Sequence, residues 1–436
     1  MKRIIYKDLQ TWKNSPERKP LLLLGARQTG KTWLMEEFGK NEFENFISIN
    51  FEKQPDFSAY FDTDISPARI IKILEQRFNT DINAEHTLII LDEIQESARA
   101  LNSLKYFCEE APQYHIIAAG SFLGVATHGG FPVGKVDRIT LYPLSFYEFL
   151  EGIGKERYAD TIRNNDFDLV RTSSGDFEKL LKIYFLVGGM PKAVAAYAAS
   201  ENLREVRNIQ NNILADYTDD FSKHISPLNT PKVNMIWDSI PRHLSKEKKK
   251  FIYKELIEGA RAYSYEDSMN WLFNTRLVYK VLRTEENKLP LAGFADEKTF
   301  KLYMLDTGLF CAKAGLDITA LFESNSGLFG IFNGALTEQF VLQELVCAGF
   351  KPYYWGREKG EAEVDFIIQW RNELVPIEVK SGIHTKSKSL DVYRNMYNPA
   401  HAVRSSLRNF GAADGLYSIP LYMIAGIGEI FEKKHD

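Results

Sequence analysis

The sequence predicts an α/β protein whose N-terminal third is a parallel sheet covered by helices on both faces. Three observations predict it. Four short apolar runs, at 21–24, 46–51, 87–91 and 115–119, have the length and composition of strands. Helix-like stretches at 32–40, 67–78 and 99–110 alternate with them, the order that builds parallel sheets. A glycine-rich motif, Gly25-Ala26-Arg27-Gln28-Thr29-Gly30-Lys31-Thr32, joins the first strand to the first helix.

Each element has a local cause. The first run lies between Pro20 and Gly25, and four residues between breakers favour a buried strand over a helix. After about residue 149 the character changes. Stretches 177–199 and 202–220 read as helices, with Gly188-Gly189-Met190-Pro191 as a break in the first. Stretches 245–259 and 265–272 continue the helical reading, and 277–282 and 299–304 read as strands. Helix, helix, hairpin is the order of a winged-helix-like unit, an order many small α+β units share. From about residue 327 a third region opens with a helix at 337–348, followed by short strands. Lys248-Lys249-Lys250, extended by Lys246, is either a solvated helix start or a phosphate-contacting patch.

Composition narrows the class. The chain has 436 residues, 44% hydrophobic and 26% charged, which is globular and enough for two to four domains at roughly 100–200 residues each. A formal charge of -4 excludes a globally basic protein, so nucleic-acid contact would need a local patch. Cys108, Cys311 and Cys347 are too few and too far apart for a disulfide framework or a Cys/His zinc site. The N-terminus turns polar after two apolar residues, unlike a signal peptide, and no uncharged apolar run approaches ~18 residues. A cytoplasmic protein is expected. His86, His115, His384 and His401 show no ligand spacing, and Tyr353, Tyr354 and Trp355 read as core.

The motif at 25–32 matches G-x-x-x-x-G-K-[ST] in full. Glycines let such a loop wrap so that backbone N–H groups point at phosphate oxygens, and the following helix adds its positive end. Lys31 is expected on the β- and γ-phosphates of ATP, with the Thr32 hydroxyl on Mg²⁺. Residues 88–93 then carry Asp92 and Glu93 at the end of an apolar strand. Asp92 would hold Mg²⁺ directly or through water, and Glu93 would polarise the attacking water; an acidic helix cap is the plainer alternative, and both can hold together. Ser121, just after the fourth strand, is a candidate γ-phosphate sensor or a turn serine. Arg138 is the candidate arginine supplied by a neighbouring subunit.

The ordered set of Leu23-Leu24-Gly25 through Thr32, Leu91-Asp92-Glu93-Ile94-Gln95, Ala119-Gly120-Ser121 and Tyr142-Pro143-Leu144-Ser145-Phe146-Tyr147-Glu148-Phe149 resembles a prokaryotic family of AAA-type ATPases. These carry a domain of unknown function, DUF4143, after the ATPase core. Val187-Gly188-Gly189-Met190-Pro191 and Leu302-Tyr303-Met304-Leu305-Asp306-Thr307-Gly308-Leu309 resemble it too. The resemblance implies a P-loop ATPase core at 1–150, a helical lid at 151–222, a winged-helix-like segment at 223–320 and a restriction-endonuclease-like domain at 321–436. The AAA type also suggests a homo-oligomer. One departure is Gly134-Lys135-Val136, where such proteins usually have Gly-Arg-Val.

The C-terminal region supplies a second candidate site. Residues 362–370 and 373–380 read as a hairpin turning at Arg371-Asn372, so paired positions sum to 743. Asp365 then faces Glu378, and Glu363 faces Lys380, all four on one face. Pro376 limits the second strand to an edge or a bulge in this reading. Two carboxylates converging with a lysine suit a metal-dependent nuclease: Mg²⁺ on Asp365 and Glu378, with Lys380 steadying the nucleophile or the developing charge. A cross-strand ladder of salt bridges is the plainer alternative. By the resemblance, Glu338 matches the acidic residue such domains carry on their first helix. The expected function is an Mg²⁺-dependent ATPase coupled to a DNA-handling, endonucleolytic module. A nucleotide-switched DNA-binding scaffold with a silent nuclease-like domain, and a signalling ATPase acting on protein partners, remain the alternatives.

Overall fold

The computed structural model describes residues 1–121, 132–319, 330–357, 362–382 and 387–433. Expected positions outside these include His384 and the opening of the third region near residue 327. The chain forms two compact units, one of residues 2–142 with 274–276, the other of 143–273 and 277–436 with Met1.

In the first unit α1 (Tyr6–Asn14) precedes β1 (Leu21–Leu24), α2 (Lys31–Glu42), β2 (Asn45–Asn50), α3 (Pro67–Phe78), β3 (Thr87–Asp92), α4 (Ala98–Glu110), β4 (His115–Gly120) and β5 (Asp137–Thr140). The strands form one sheet in the order β2-β3-β4-β1-β5, every pair parallel. Alternation sorts the side chains by face. Leu21, Leu23, Leu88, Ile90, Ile117 and Ala119 pack with Leu9 and Trp12 of α1 and Leu34, Met35 and Phe38 of α2. Leu22, Leu24, Ile47, Ile49, Ile89, Leu91, Ile116 and Ala118 face the opposite side, against Ile70, Ile71 and Leu74 of α3 and Leu101 and Leu104 of α4. A sheet buried on both faces is what near-continuous apolar strands require.

The second unit begins with helices α5 (Phe146–Gly152), α6 (Glu156–Arg163), α7 (Phe167–Thr172), α8 (Ser174–Val187), α9 (Pro191–Ser200), α10 (Leu203–His224), α11 (Thr230–Leu244) and α12 (Glu266–Asn274). Then come β6 (Val278–Thr284), β7 (Ala295–Met304), α13 (Thr307–Lys313), α14 (Gly330–Cys347), β8 (Tyr353–Gly356), β9 (Glu363–Trp370), β10 (Glu373–Val379), α15 (Lys388–Tyr397), β11 (Ala402–Ser406), β12 (Gly411–Ala413), β13 (Leu416–Pro420) and α16 (Ile427–Glu432). Among the described residues these strands join one mixed sheet, in the order β12-β13-β11-β10-β9-β8-β6-β7. The β6–β7 hairpin, from the segment expected as winged-helix-like, therefore shares its sheet with the C-terminal strands.

Two local expectations fail here. The helix expected at 245–259 is absent; α11 ends at Leu244, and the stretch beyond it holds only a short turn at Tyr253–Glu255. Pro231 in its first turn starts α11 at Thr230, a helix not among the expected elements, while Lys246, Lys248, Lys249 and Lys250 crowd like charges with no apolar stripe to bury. Pro376 does not confine β10 to an edge, since β10 lies between β9 and β11. Its ladder to β11 begins only at Ile377↔Val403, after the proline.

Gly188, Gly189 and Gly308 let three chain segments cross at van der Waals limits. A Cβ on Gly189 would lie 2.0 Å from the Leu144 carbonyl oxygen, and one on Gly308 would lie 2.6 Å from the Gly188 nitrogen. Gly189 N–H donates to Asp306 Oδ2 at 2.6 Å, and the Leu144 N–H donates to the Gly189 carbonyl at 2.7 Å. Asp306 also caps α13 through Leu309 N–H at 2.8 Å. The motifs at 187–191 and 302–309 are thus a structural crossing.

Candidate functional site

At the C-terminal end of the parallel sheet, β1 leads through the glycine motif into α2. Gly25 has φ +156°, and a Cβ there would lie 2.4 Å from the Leu141 carbonyl oxygen; Gly30, which caps α2, has φ +93°. Lys31 is buried, and its Nζ donates to the carbonyls of Gly25 at 3.0 Å and Ala26 at 2.9 Å, and to Ser121 Oγ at 3.2 Å. Burial pulls its pKa down to about 8, against the opposing pull of Glu93 and Asp92. Ser121 thus stands beside Lys31.

Thr32 Oγ1 donates to Asp92 Oδ2 at 2.6 Å, so the first turn of α2 meets the end of β3. These are hard oxygen donors, and they fit a magnesium ion. Asp92 Oδ2 also accepts from Asn50 Nδ2 at 2.9 Å, and Oδ1 from the Glu93 N–H at 3.1 Å. Glu93 takes a left-handed backbone, φ +48°, and its Oε2 accepts from Gln95 Nε2 at 2.7 Å. Arg138 lies on the exposed edge strand β5, paired with Leu22. Lys135, at the departure from Gly-Arg-Val, forms an ion pair with Glu109 at 2.9 Å.

Sequence reasoning missed four residues of this site. Asn50 orients Asp92, and its signal was the β2–β3 pairing Asn50↔Asp92, which a strand order would have revealed. Arg3 ties the loop down, donating to the Thr29 carbonyl at 3.1 Å and the Tyr142 carbonyl at 2.5 Å. Gln95 holds Glu93. Arg276, in the stretch 274–276 that clusters with this unit, adds a positive charge felt at Lys31.

The second cluster lies in the second unit. The β9–β10 register is the expected one, Glu373↔Trp370 through Ile377↔Phe366, with Arg371 at φ +54° in the turn. The ladder ends at Ile377↔Phe366, and just beyond it the Asp365 side chain takes over, its Oδ2 accepting from the Val379 N–H at 2.8 Å. Glu378 Oε1 accepts from Lys380 Nζ at 2.7 Å, while Glu378 Oε2 is buried with no hydrogen-bond partner among the described residues. Glu338 of α14 joins them: Tyr303 Oη donates to its Oε2 at 3.3 Å, and Lys249 Nζ donates to its Oε1. The expected Glu363–Lys380 pair does not form. Glu363 instead meets Lys301 of β7 at 2.6 Å, because Lys301 is buried on the same sheet and its charge needs a partner there.

Burial pushes the Asp365 carboxyl well above its usual range, with the Glu338 and Glu378 charges adding to the effect. Burial would do the same to Glu338, but the Lys249 and Lys301 ammoniums and a hydrogen bond with Asp365 hold it below its usual range. Burial opposes the charge of Lys380, yet Glu378 beside it raises its pKa. Among the described residues no three His, Cys, Asp or Glu side chains stand ready as a metal cage.

Another buried carboxyl, Glu344, has a second acid, Glu148, as its charged neighbour. Glu344 Oε1 accepts from the Phe146 N–H at 2.8 Å, and burial lifts its pKa to about 8, Glu148 adding to the lift. A carboxyl whose pKa rises on folding stabilises the fold fully below its ordinary pKa, and that contribution is lost as pH rises through about 8. Glu344→Gln keeps an acceptor for Phe146 and removes the ionisation. Its melting temperature is expected to match the parent near pH 5 and to exceed it at pH 8–9, as thermal unfolding across that range would show.

Residues 17–150 match the model of an AAA domain, 178–319 that of a domain of unknown function, DUF8612, and 333–424 that of another, DUF4143. The crossing motifs at 187–191 and 302–309 fall inside the DUF8612 match. No curated protein matches the chain. Among solved structures, the Walker-type ATPase PABY2304 of Pyrococcus abyssi is 14% identical with a TM-score of 0.45, covering 71% of this chain and 94% of that one. Drosophila ORC bound to DNA is 13% identical with a TM-score of 0.30, covering 68% of this chain and 90% of that one. Among the described residues no helix is long and apolar enough to cross a membrane. The chain therefore combines an AAA-type P-loop domain with a DUF4143 region.

Proposed function

We propose that this chain is an Mg²⁺-dependent, ATP-hydrolysing ATPase of the AAA type whose C-terminal module handles DNA. The observation that carries the first half is the 2.6 Å contact between Thr32 Oγ1 and Asp92 Oδ2, which brings loop and acidic strand end together. A magnesium ion held by Thr32 and Asp92 would neutralise phosphate charge and orient the β- and γ-phosphates. Lys31 moves from the Gly25 and Ala26 carbonyls onto the phosphates, Ser121 senses the γ-phosphate, and Glu93, held by Gln95, orients the attacking water. Arg138 remains the candidate for a subunit-supplied arginine in a homo-oligomer.

The second half rests on Glu338, Asp365, Glu378 and Lys380, whose convergence supports a restriction-endonuclease-like reading of the C-terminal region. Oxygen donors of this kind suit Mg²⁺ or Mn²⁺, which would activate water beside a phosphodiester. The unpartnered Glu378 Oε2 supports the fit. A scaffold with a catalytically silent domain is the second reading, favoured by Lys249 and Lys380, which already pair with Glu338 and Glu378.

The test is plasmid DNA with Mg²⁺ or Mn²⁺, with and without ATP, comparing the parent with Asp365→Ala. Nicking or linearisation that falls at least about 100-fold in Asp365→Ala is the expected result, since removing an ion-holding carboxylate removes the activated water. Salt-sensitive DNA retention without cleavage by either protein would select the scaffold. Neither retention nor cleavage would leave only the ATPase.

A further inference from the structure

Lys249 does not belong to the sheet that carries the acidic cluster. It comes from the irregular stretch after α11, where Lys246, Lys248 and Lys250 are exposed and Lys249 alone is half-buried. Its neighbours are anchored: Lys246 Nζ bonds Glu255 Oε2 at 2.5 Å, and the Phe251 N–H donates to the Phe300 carbonyl at 2.8 Å. Between these two anchors the Lys249 ammonium turns inward onto Glu338 Oε1.

Glu338 is one of three acids that would share a metal ion, and its two oxygens are already engaged by Lys249 and Tyr303. Glu378 offers a buried oxygen, Oε2, that none of the described residues satisfies. A buried carboxylate oxygen is expensive to leave unpaired, so Glu378 Oε2 is the oxygen of this cluster still open to a cationic partner. A lysine ammonium is a compact point charge, the closest a side chain comes to a metal ion.

We infer that Lys249 is the resident cation of this cluster: its ammonium holds Glu338 where a divalent ion would, and the ion enters by displacing it. The inference rests on the reading of Glu338, Asp365 and Glu378 as a metal site. It accounts for the lack of a ready cage among the described residues, because Lys249 occupies the Glu338 oxygen that an ion shared with Asp365 and Glu378 would take. It also assigns the lysine run a role that a solvated surface stretch lacks, that of a latch on metal loading.

The experiment measures Mn²⁺ binding by electron paramagnetic resonance on the full chain without nucleotide. All proteins carry Asp92→Asn, so that the ion counted is not at the ATP site. Lys249→Gln is expected to bind Mn²⁺ at least about tenfold tighter than its parent, Lys249→Arg to bind as the parent does, and added Glu378→Gln to erase the gain. Equal binding by parent and Lys249→Gln, lost in both with Glu378→Gln, would overturn the latch and keep the metal site. Absence of binding in every protein would overturn the metal site and the latch together. A second measurement needs no substitution at Lys249: Mn²⁺ should increase labelling of Lys249 by an amine-reactive reagent, read by peptide mass. Unchanged labelling would count against the latch even if Lys249→Gln failed to fold.

Discussion

Lys31→Ala is expected to lower ATP hydrolysis at least about 100-fold, with the loss read as phosphate release under saturating Mg²⁺ and ATP. The ammonium sits inside the loop, buried against the Gly25 and Ala26 carbonyls and Ser121. Its neighbours Thr32 and Asn50 cannot replace it, being uncharged and both committed to Asp92. The pH dependence has the same origin in burial. In the free protein Lys31 loses its proton near pH 8, and a bound polyphosphate would restore a higher pKa. Nucleotide binding above pH 8 must then take up a proton, so affinity should fall toward tenfold per pH unit there and stay flat below pH 7. Lys31→Ala should lose that slope. Hydrolysis that survives Lys31→Ala would remove the phosphate role of the loop.

Gly189→Ala is expected to have the largest effect on stability of any single methyl added to the described residues. The new carbon would stand 2.0 Å from the Leu144 carbonyl oxygen and 2.7 Å from the Leu144 nitrogen, both backbone atoms that cannot rotate away. The Leu144 N–H to Gly189 carbonyl bond and the Gly189 N–H to Asp306 bond would have to lengthen to admit it. A cost of about 3 kcal/mol or more, lowering the melting temperature by about 6–12 °C, is expected. Gly175→Ala serves as the control. A Cβ there meets nothing within 4 Å, and alanine suits a helix better, so its melting temperature should hold or rise slightly. Equal behaviour of the two variants would mean that the crossing gives way more easily than its contacts suggest.

Much of the fold was legible because its causes are local. Strand β1 announces itself through four leucines between Pro20 and Gly25, and α3 through Pro67 at its start and Asn79 at its end. The hairpin register at 743 was equally legible, since a two-residue turn leaves one pairing that keeps the apolar faces together. Failures came where a pattern depended on distant partners. The lysines at 246–250 looked like the start of a helix, but Phe251 is held by the backbone of Phe300. Pro376 looked like an edge marker, but the ladder that would have needed its N–H starts one residue later.

Chemistry shows the same division. The order of residues along the chain set the phosphate loop, the acidic end of β3 and the β9–β10 register up to Ile377↔Phe366, because each depends on spacing within one element or one turn. Folding in three dimensions chose the partners: Asn50 for Asp92, Arg3 for the Thr29 carbonyl, Lys301 for Glu363 and Lys249 for Glu338. A buried charge takes whichever opposite charge the packing brings near, and that neighbour can lie anywhere in the sequence.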